Sequence, residues 1–372
     1  MNETILTWLV FILAFGGLVL IHEFGHFIVA RLCKIEVEEF GIGLPTPGAL
    51  TLFTWQGTRF TLNWLPLGGF VRPKGENDPN IPGGLAAASP WKRLAVLFAG
   101  PVMNLLAAVL IYSLIFNRVG VPDETRVLVA SVTEGGPAAQ AGFQPDDIFI
   151  SGNGQLIRSI DALRVIVEAN EDKPVVFLVD RRGEQIELTA VPRMTKVSEQ
   201  EERLMIGVGL GVPFKAATSP VETLRLGTQY TYLNIRTLIA LPAQMIRGTV
   251  DSEQSRLVGL KGIFDVLQQT VSRDVEASAT AAPASTDPID QPVRTLNLIA
   301  SLSISLGLFN LFPFPALDGG RIIFVLPELI FRRRVSPRLE NLVHGLGMAF
   351  LLLLMIYINV MDFIDPISVT IP

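Results

Sequence analysis

Three residues near the start of the chain, His22, Glu23 and His26, form the pattern H-E-x-x-H within VLIHEFGHFIVARL at 19–32. Residues four apart share one face of a helix, so the two imidazoles can bind a single metal ion. The adjacent carboxylate can then take a proton from water, which is the chemistry of this motif in zinc hydrolases. The run 5–30 is otherwise almost wholly apolar, and a charged group at the centre of a membrane helix costs about 2.5 kcal/mol or more. A metal site inside the helix explains why these polar side chains are there.

A hydrolytic zinc ion usually has three protein ligands and one open position. Asp318 is the best candidate for the third ligand, since it follows a proline-broken apolar run in NLFPFPALDGGRI, 310–322. Irregular backbone at membrane depth is tolerated where it is packed in protein or lines a cavity, and a carboxylate there needs a partner. The alternative is that Asp318 caps a helix starting near 319. His344, the remaining histidine, is a weaker candidate for a ligand.

The composition is that of a membrane protein with a soluble portion. Hydrophobic residues make up 49% of the 372 residues and charged residues only 17%, against about 25% charged in soluble domains. The net charge of −5 argues against a nucleic-acid partner. The single cysteine, Cys33, excludes an intrachain disulfide and a thiolate metal cluster.

Three segments, 5–30, 94–116 and 343–361, satisfy the criterion of about 20 apolar residues for a membrane span. A fourth, 296–317, is apolar but interrupted by asparagines and prolines, and 221–246 is predicted to be an amphipathic helix on the membrane surface. Lys and Arg cluster after the first span and before the last, which places both loops in the cytoplasm. We therefore expect four spans with both termini outside. The first run is too long for a signal peptide and has no cleavage site after it, so we expect it to be retained.

Between the second and third spans, 123–213 has the pattern of a soluble domain. Short β-rich runs are separated by turn residues. Strands are predicted at 126–132, 146–155, 174–191 and 204–212, with a hairpin turn at 180–183 and a helix at 160–170. The small and polar residues of 275–292 predict a flexible linker.

Four motifs run through the chain in one order. They are HEFGH at 22–26, GPVMN at 100–104, the string EGGPAAQAGFQPDDIFISGNGQ at 134–155, and SLGLFNLFPFPALDGG at 305–320. Through them the chain resembles the site-2 proteases, a family of intramembrane zinc metalloproteases, and within it the bacterial branch similar to the regulator-of-sigma-E protease with a PDZ domain.

The resemblance implies a fold and a division of the chain. The fold is a membrane α-helical bundle of about four transmembrane helices, with a membrane-associated β-hairpin and an inserted extracytoplasmic PDZ-like α/β domain. The expected segments are 1–35, first span with H-E-x-x-H; 36–92, cytoplasmic-side loop with the hairpin; 93–117, second span; 123–213, PDZ-like domain; 214–293, amphipathic helix and flexible linker; 294–330, third span with the LDG motif; and 331–372, arginine-rich loop and fourth span.

The resemblance also implies the roles of individual residues. His22, His26 and Asp318 would bind one zinc ion per chain, with Glu23 as the catalytic base. In the segment that precedes the LDG motif, three residues would lie near the substrate: Asn310, Pro313 and Pro315.

Residues 58–72 add a possible substrate contact. Phe60, Leu62 and Trp64 alternate with polar or small residues, as in a strand, and ALTLFTWQG before them is the expected partner strand, with a turn near Gln56–Gly57. The resemblance implies a hairpin beside the active site whose free edge pairs with an unwound substrate. The alternative is a hairpin packed on the cytoplasmic face without substrate contact.

The implied activity is that of a zinc metalloendopeptidase cutting a transmembrane protein substrate within the lipid bilayer of the bacterial inner membrane. Such regulated intramembrane proteolysis typically acts on an anti-sigma factor or a similar single-span regulator. The PDZ-like domain would act as a steric filter or bind peptides directly. Two alternatives from other classes are a non-catalytic membrane scaffold and a zinc transporter.

Overall fold

A computed structural model describes residues 3–198, 201–248, 258–280 and 292–365. The helices are α1 (Glu3–Leu32), α2 (Pro90–Val119), α3 (Pro137–Ala141), α4 (Ile160–Glu168), α5 (Pro220–Ile246), α6 (Leu260–Thr280), α7 (Arg294–Asn310), α8 (Asp318–Phe331) and α9 (Pro337–Ile364). The strands are β1 (Val37–Leu44), β2 (Leu50–Trp55), β3 (Thr58–Leu62), β4 (Leu65–Pro73), β5 (Val121–Pro122), β6 (Val127–Val132), β7 (Ile148–Gly152), β8 (Gln155–Leu156), β9 (Val175–Arg181), β10 (Glu184–Ala190), β11 (Arg193–Ser198), β12 (Glu201–Met205), β13 (Val208–Gly211) and β14 (Phe214–Lys215).

The chain divides into two compact units. Of the described residues, the first unit, called the helical unit here, takes in 3–115, 221–248, 258–279 and 292–365, and the second, called the sheet unit, takes in 116–198 and 201–220. Within the described residues, three helices are long and apolar enough to cross a membrane: α1, α2 and α9. The segment 294–330, expected to hold the third span and the LDG motif, contains two shorter helices, α7 and α8, separated by a turn at 311–317.

The predicted hairpin in the helical unit belongs to a larger sheet. β2 and β3 pair antiparallel, and the two residues between them, Gln56 and Gly57, both have positive φ, as the tightest hairpin turns require. The sequence did not indicate β1 and β4, which complete the order β2-β3-β1-β4. β3 therefore has a neighbour on each side, and the outer strands of this sheet are β2 and β4.

Alternation along these strands gives the sheet one apolar and one charged face. Phe40 and Phe60 pack against Phe27 of α1, with ring centroids 5.5 and 5.6 Å away. On the opposite face Glu39 is buried and accepts a 2.9 Å hydrogen bond from Arg72. The apolar face fixes the sheet to α1 in the half of the helix that carries His26.

The sheet unit forms where the sequence predicts it. Its main sheet has the order β10-β9-β7-β6-β13, with β8 paired to β7, around a core that includes Phe149, Phe177 and Val179. The predicted helix at 160–170 is α4, and the predicted turn between β9 and β10 is made by Arg182 and Gly183. The strand expected at 204–212 is two strands, β12 and β13, because the chain turns at Gly207 with φ +82°.

The region between the sheet unit and the third span differs most from expectation. α5 packs against α2, since a Cβ on Gly227 would lie 2.6 Å from the carbonyl oxygen of Val109. α6 was not expected, and it extends to Thr280 into the predicted linker; the rest of that linker, 281–291, lies outside the described residues. Asp274 of α6 accepts hydrogen bonds from the first backbone amides of α7. Asp274, the residue before the predicted linker, thus caps a neighbouring helix.

Candidate metal centre

Both histidines of the H-E-x-x-H pattern are buried on one face of α1, with exposed fractions of 5% for His22 and 9% for His26. Nδ1 of His26 lies 2.7 Å from the carbonyl oxygen of Val96 in α2. A carbonyl can only accept, so Nδ1 of His26 carries the ring proton and Nε2 is left with its lone pair. A backbone contact of this kind fixes both the tautomer and the ring orientation of a metal-binding histidine.

Asp318 is the first residue of α8, and its carboxylate turns back toward α1. Oδ2 of Asp318 lies 3.1 Å from Nε2 of His22 and 3.3 Å from Nε2 of His26. The N-cap position of α8 is occupied by Leu317, which makes no side-chain cap, and Asp318 is already inside the helix. The capping role considered for Asp318 is therefore not the one that the structure gives it. The tight turn into α8 requires glycine after the aspartate, since a Cβ on Gly319 would lie 2.2 Å from the carbonyl oxygen of Phe312.

The three candidate ligand atoms form a compact triangle. The Nε2 atoms of His22 and His26 are 3.1 Å apart, and His22, His26 and Asp318 are the one group of this kind found among the described residues. Ligands held tetrahedrally at about 2.0–2.1 Å from zinc are about 3.3–3.4 Å apart, close to the distances observed. The donor set of two imidazoles and one carboxylate is also one that catalytic zinc uses. The residues present therefore fit a zinc ion.

Two residues of the GPVMN segment in α2 complete the pocket, although the sequence analysis gave them no role. A Cβ on Gly100 would lie 2.4 Å from Nε2 of His26 and 2.7 Å from Nε2 of His22. Glycine at this position keeps the space between the imidazoles and α2 open. The GPVMN motif is visible in the sequence, but the sequence does not reveal that Gly100 and Asn104 contact the two histidines.

Asn104, one turn further along α2, is fully buried, and its Nδ2 lies 3.2 Å from Nδ1 of His22. With Nε2 of His22 facing the other ligand atoms, Nδ1 carries the proton and needs an acceptor. The oxygen and nitrogen of an amide side chain are nearly identical in shape. Placing Oδ1 toward His22 provides that acceptor and also gives a partner to Oδ1, which otherwise has none among the described residues.

Glu23 lies next to the triangle but does not belong to it. Its Oε2 accepts a 3.0 Å hydrogen bond from the backbone amide of Val71 in β4. Because this amide donates to Glu23 and not to β1, the outer edge of β4 faces Glu23 at Val71.

The other predicted site residues lie in different surroundings. Asn310 ends α7 and donates to the carbonyl oxygen of Leu306, while Pro313 is exposed in the following turn. Pro315 is half-buried against α9. His344 is not one of the grouped ligands; its Nδ1 accepts a hydrogen bond from the backbone amide of Ala316.

The predicted substrate strand also departs from its simple pattern. Phe60 stacks on Phe53 with ring centroids 4.5 Å apart and belongs to the packing against α1. Leu62 is exposed at the end of β3, and Trp64 lies beyond that strand with 80% of its surface exposed. Because β3 is flanked on both sides, the free edge of the predicted hairpin belongs to its other strand, β2.

The sheet unit carries a groove of its own between α4 and the segment from β12 to β13. Its volume is about 480 Å³, and β13 is the last strand of the sheet, so its outer edge faces this space. The lining is mostly apolar, with two arginines and one glutamate: Ile160, Leu163, Arg164, Val167, Glu168, Arg203, Leu204, Met205, Ile206, Gly207, Val208 and Leu210.

Two buried imidazoles, a carboxylate and an adjacent glutamate, set among helices that can cross a membrane, define a membrane metalloprotease site. The profile of Peptidase family M50 matches residues 10–354. The chain belongs to this family, and its cofactor is zinc.

Curated relatives agree over nearly the full chain. A Brucella suis protein named "Putative zinc metalloprotease" is 31% identical over 362 residues, covering 91% of this chain and 89% of the relative. A Clostridium acetobutylicum protein with the same description is 28% identical, covering 96% and 97%. "Metalloprotease MmpA" of Caulobacter vibrioides is 28% identical, covering 91% and 90%.

Proposed function

We propose that this protein is a site-2 protease that hydrolyses peptide bonds within the transmembrane segments of membrane-anchored proteins. The observation that carries the proposal is the convergence of His22, His26 and Asp318 to within 3.3 Å of one another beside Glu23. His22, His26 and Asp318 would hold one zinc ion per chain. When bound, zinc supplies Lewis-acid chemistry, lowering the pKa of water and polarising the scissile carbonyl.

Glu23 is the proposed catalytic base. Its carboxylate takes a proton from the attacking water and passes it to the leaving amine. The backbone amide of Val71 holds one carboxylate oxygen of Glu23 at 3.0 Å, which fixes the direction in which the group can act. Val96 and Asn104 orient the two imidazoles, so the protein supplies a preorganised site.

The proposed topology has four spans in the inner membrane of a bacterium. α1, α2 and α9 are three of them, and α7 and α8 together, with the turn at 311–317, make the fourth. Asp318 then lies at the break in this span, and the sheet unit lies outside the cytoplasm. The clusters of Lys and Arg in the loops before α2 and before α9 support this orientation.

Substrate must unwind before it can be cut, because a helix shields its own peptide bonds. We propose that the unwound segment adds to the outer edge of β4, since Val71 on that edge contacts Glu23. The free edge of the predicted hairpin, on β2, is the other edge of this sheet. Asn310 and Pro313, near the break before α8, remain proposed substrate contacts, whereas Pro315 is partly covered by α9. Exposed Leu62 and Trp64 would contact lipid or the substrate helix.

The sheet unit is proposed to act as a PDZ-like domain. The groove beside the free edge of β13 suits an extended peptide, with apolar pockets for its side chains and arginines for a terminal carboxylate. This supports a peptide-binding role over a purely steric filter. The substrate class inferred for the whole protein is a single-span regulator such as an anti-sigma factor, cut in regulated intramembrane proteolysis.

The test uses the purified full chain reconstituted with a single-span model substrate. Glu23→Gln should retain zinc and lose cleavage by about 10²–10⁴-fold, the usual contribution of a general base. Glu38→Gln, an exposed glutamate on β1, removes the same charge and should cleave normally. Undiminished cleavage by Glu23→Gln would refute the mechanism. A wild-type chain that binds no zinc and cleaves nothing would favour the scaffold alternative.

A further inference from the structure

The turn that presents Asp318 contains a backbone conformation that its residue disfavours. Ala316 has φ +79°, in the left-handed region where a side chain clashes with the backbone and where glycine is the usual residue. Non-glycine residues stay in such conformations only when their surroundings hold them there. Contacts with the rest of the helical unit must therefore hold Ala316 in this conformation.

His344 of α9 makes that contact. Its Nδ1 accepts a 2.9 Å hydrogen bond from the backbone amide of Ala316. The ring is held in place by Phe324 of α8, with ring centroids 5.4 Å apart. Because Nδ1 accepts, the ring of the neutral histidine carries its proton on Nε2, which is buried and has no hydrogen-bond partner among the described residues.

A second residue of α9, one turn away, contacts the neighbouring residue of the turn. Gly347 is buried, and a Cβ at this position would lie 2.4 Å from Cβ of Pro315 and 2.7 Å from its carbonyl oxygen. Only glycine lets α9 approach the turn this closely. His344 and Gly347, three residues apart on one helix face, thus hold the peptide between Pro315 and Ala316 from one side.

We infer that His344 is a positioning residue for the metal centre, fixing the turn that aims the Asp318 carboxylate at His22 and His26. Asp318 follows Ala316 by two residues, so a change in the Ala316 backbone redirects the start of α8. This inference rests on the proposed role of Asp318 as a zinc ligand. It assigns His344 a function in the site without making it a ligand.

The first experiment needs no metal. Amide hydrogen exchange of the segment containing Ala316 is measured in the zinc-free full chain for wild type, His344→Leu and His344→Asn. Asparagine places an oxygen near the position of Nδ1 and still accepts, whereas leucine keeps apolar volume but cannot accept. We expect the Ala316 amide to exchange about tenfold faster in His344→Leu than in wild type, with His344→Asn staying close to wild type. Equal exchange in His344→Leu and wild type would overturn the inference.

The second experiment measures zinc affinity by competition with a chelator. His344→Leu should bind zinc about tenfold more weakly, at the low end for lost outer contacts, and His344→Asn should stay within about threefold of wild type. Equal losses in the two variants would show that ring packing matters and the hydrogen bond does not, contradicting the inference.

A double variant separates backbone positioning from general damage. Ala316→Gly adopts the left-handed conformation without help, so it should restore part of the zinc affinity lost in His344→Leu. No restoration would contradict the inference. If wild type bound no zinc while the exchange difference persisted, the proposed function would fail and the holding role of His344 on the turn would stand.

Discussion

The two sides of the metal centre are built by different means. On one side, His22 and His26 stand one turn apart on the continuous helix α1. On the other, Asp318 stands at the start of α8 after seven residues of irregular turn. The first side is set by helix geometry alone, while the second depends on contacts that other helices make with the turn.

This difference determines where the site tolerates change. The spacing of the histidines on α1 survives as long as the helix does, and α2 then sets their orientation through Val96 and Asn104. The position of Asp318 has no such local template. We therefore expect substitutions near the histidines to change the orientation of the two imidazoles. Substitutions near the turn should change whether the Asp318 carboxylate reaches the histidines.

The largest effect is expected from Gly100→Ala in α2. A Cβ would lie 2.4 Å from Nε2 of His26, which is much shorter than a van der Waals contact. The imidazoles must therefore move from their positions. Zinc affinity should fall by about 100-fold, the upper end for disturbed surroundings of a metal site. Chelator competition measures it, with Gly17→Ala in α1 as the matched control because nothing lies within 4 Å of its Cβ position. Normal zinc binding by Gly100→Ala would mean that α2 does not shape the histidine side.

A smaller effect is expected at Asn104. Asn104→Leu removes the acceptor for Nδ1 of His22 and should weaken zinc binding about tenfold, whereas Asn104→Asp keeps an acceptor and should bind closer to wild type. The measurement is again zinc affinity, with the melting temperature of the zinc-free protein recorded to detect loss of folding. If the leucine and aspartate variants lose affinity equally, Asn104 serves the packing of α2 and does not orient His22.

The same difference explains what the sequence could reveal. His22, Glu23 and His26 were recognisable because residues four apart lie on the same face of any helix. The hairpin of β2 and β3 and the strands of the sheet unit followed from alternation and turn residues. Asp318 could be narrowed to two roles from the sequence, but its choice between capping and facing the histidines depends on where a distant helix lies.

The remaining features depend on contacts between segments far apart in the chain. β1 and β4 were missed because adjacent glutamates in β1, Glu38 and Glu39, and adjacent glycines in β4, Gly68 and Gly69, obscure the alternation in the sequence. α6 was missed although its apolar residues recur at helical spacing, and these residues pack against Phe11 of α1: Leu260, Ile263, Phe264, Leu267 and Val271. The roles of Asn104 and His344 each rest on one hydrogen bond across the bundle, which no spacing in the sequence encodes.

Removing zinc offers the gentlest comparison of the two sides, because it changes no residue. Without the metal, the α1 side keeps its helix hydrogen bonds and its contacts with Val96 and Asn104. The turn at 311–317 would lose the metal link between Asp318 and the histidines of α1, and a ligand that binds only the folded arrangement stabilises it by an amount that grows with the logarithm of its concentration above Kd. Chelation should therefore speed amide exchange in 311–320 by about tenfold or more and leave 18–30 nearly unchanged, as local stability differs between segments. Exchange measured by mass spectrometry on the full chain, with and without excess zinc, tests this. An equal increase in both segments would show that the metal organises α1 as much as the turn. The proposed difference between the histidine side and the Asp318 side would then be wrong.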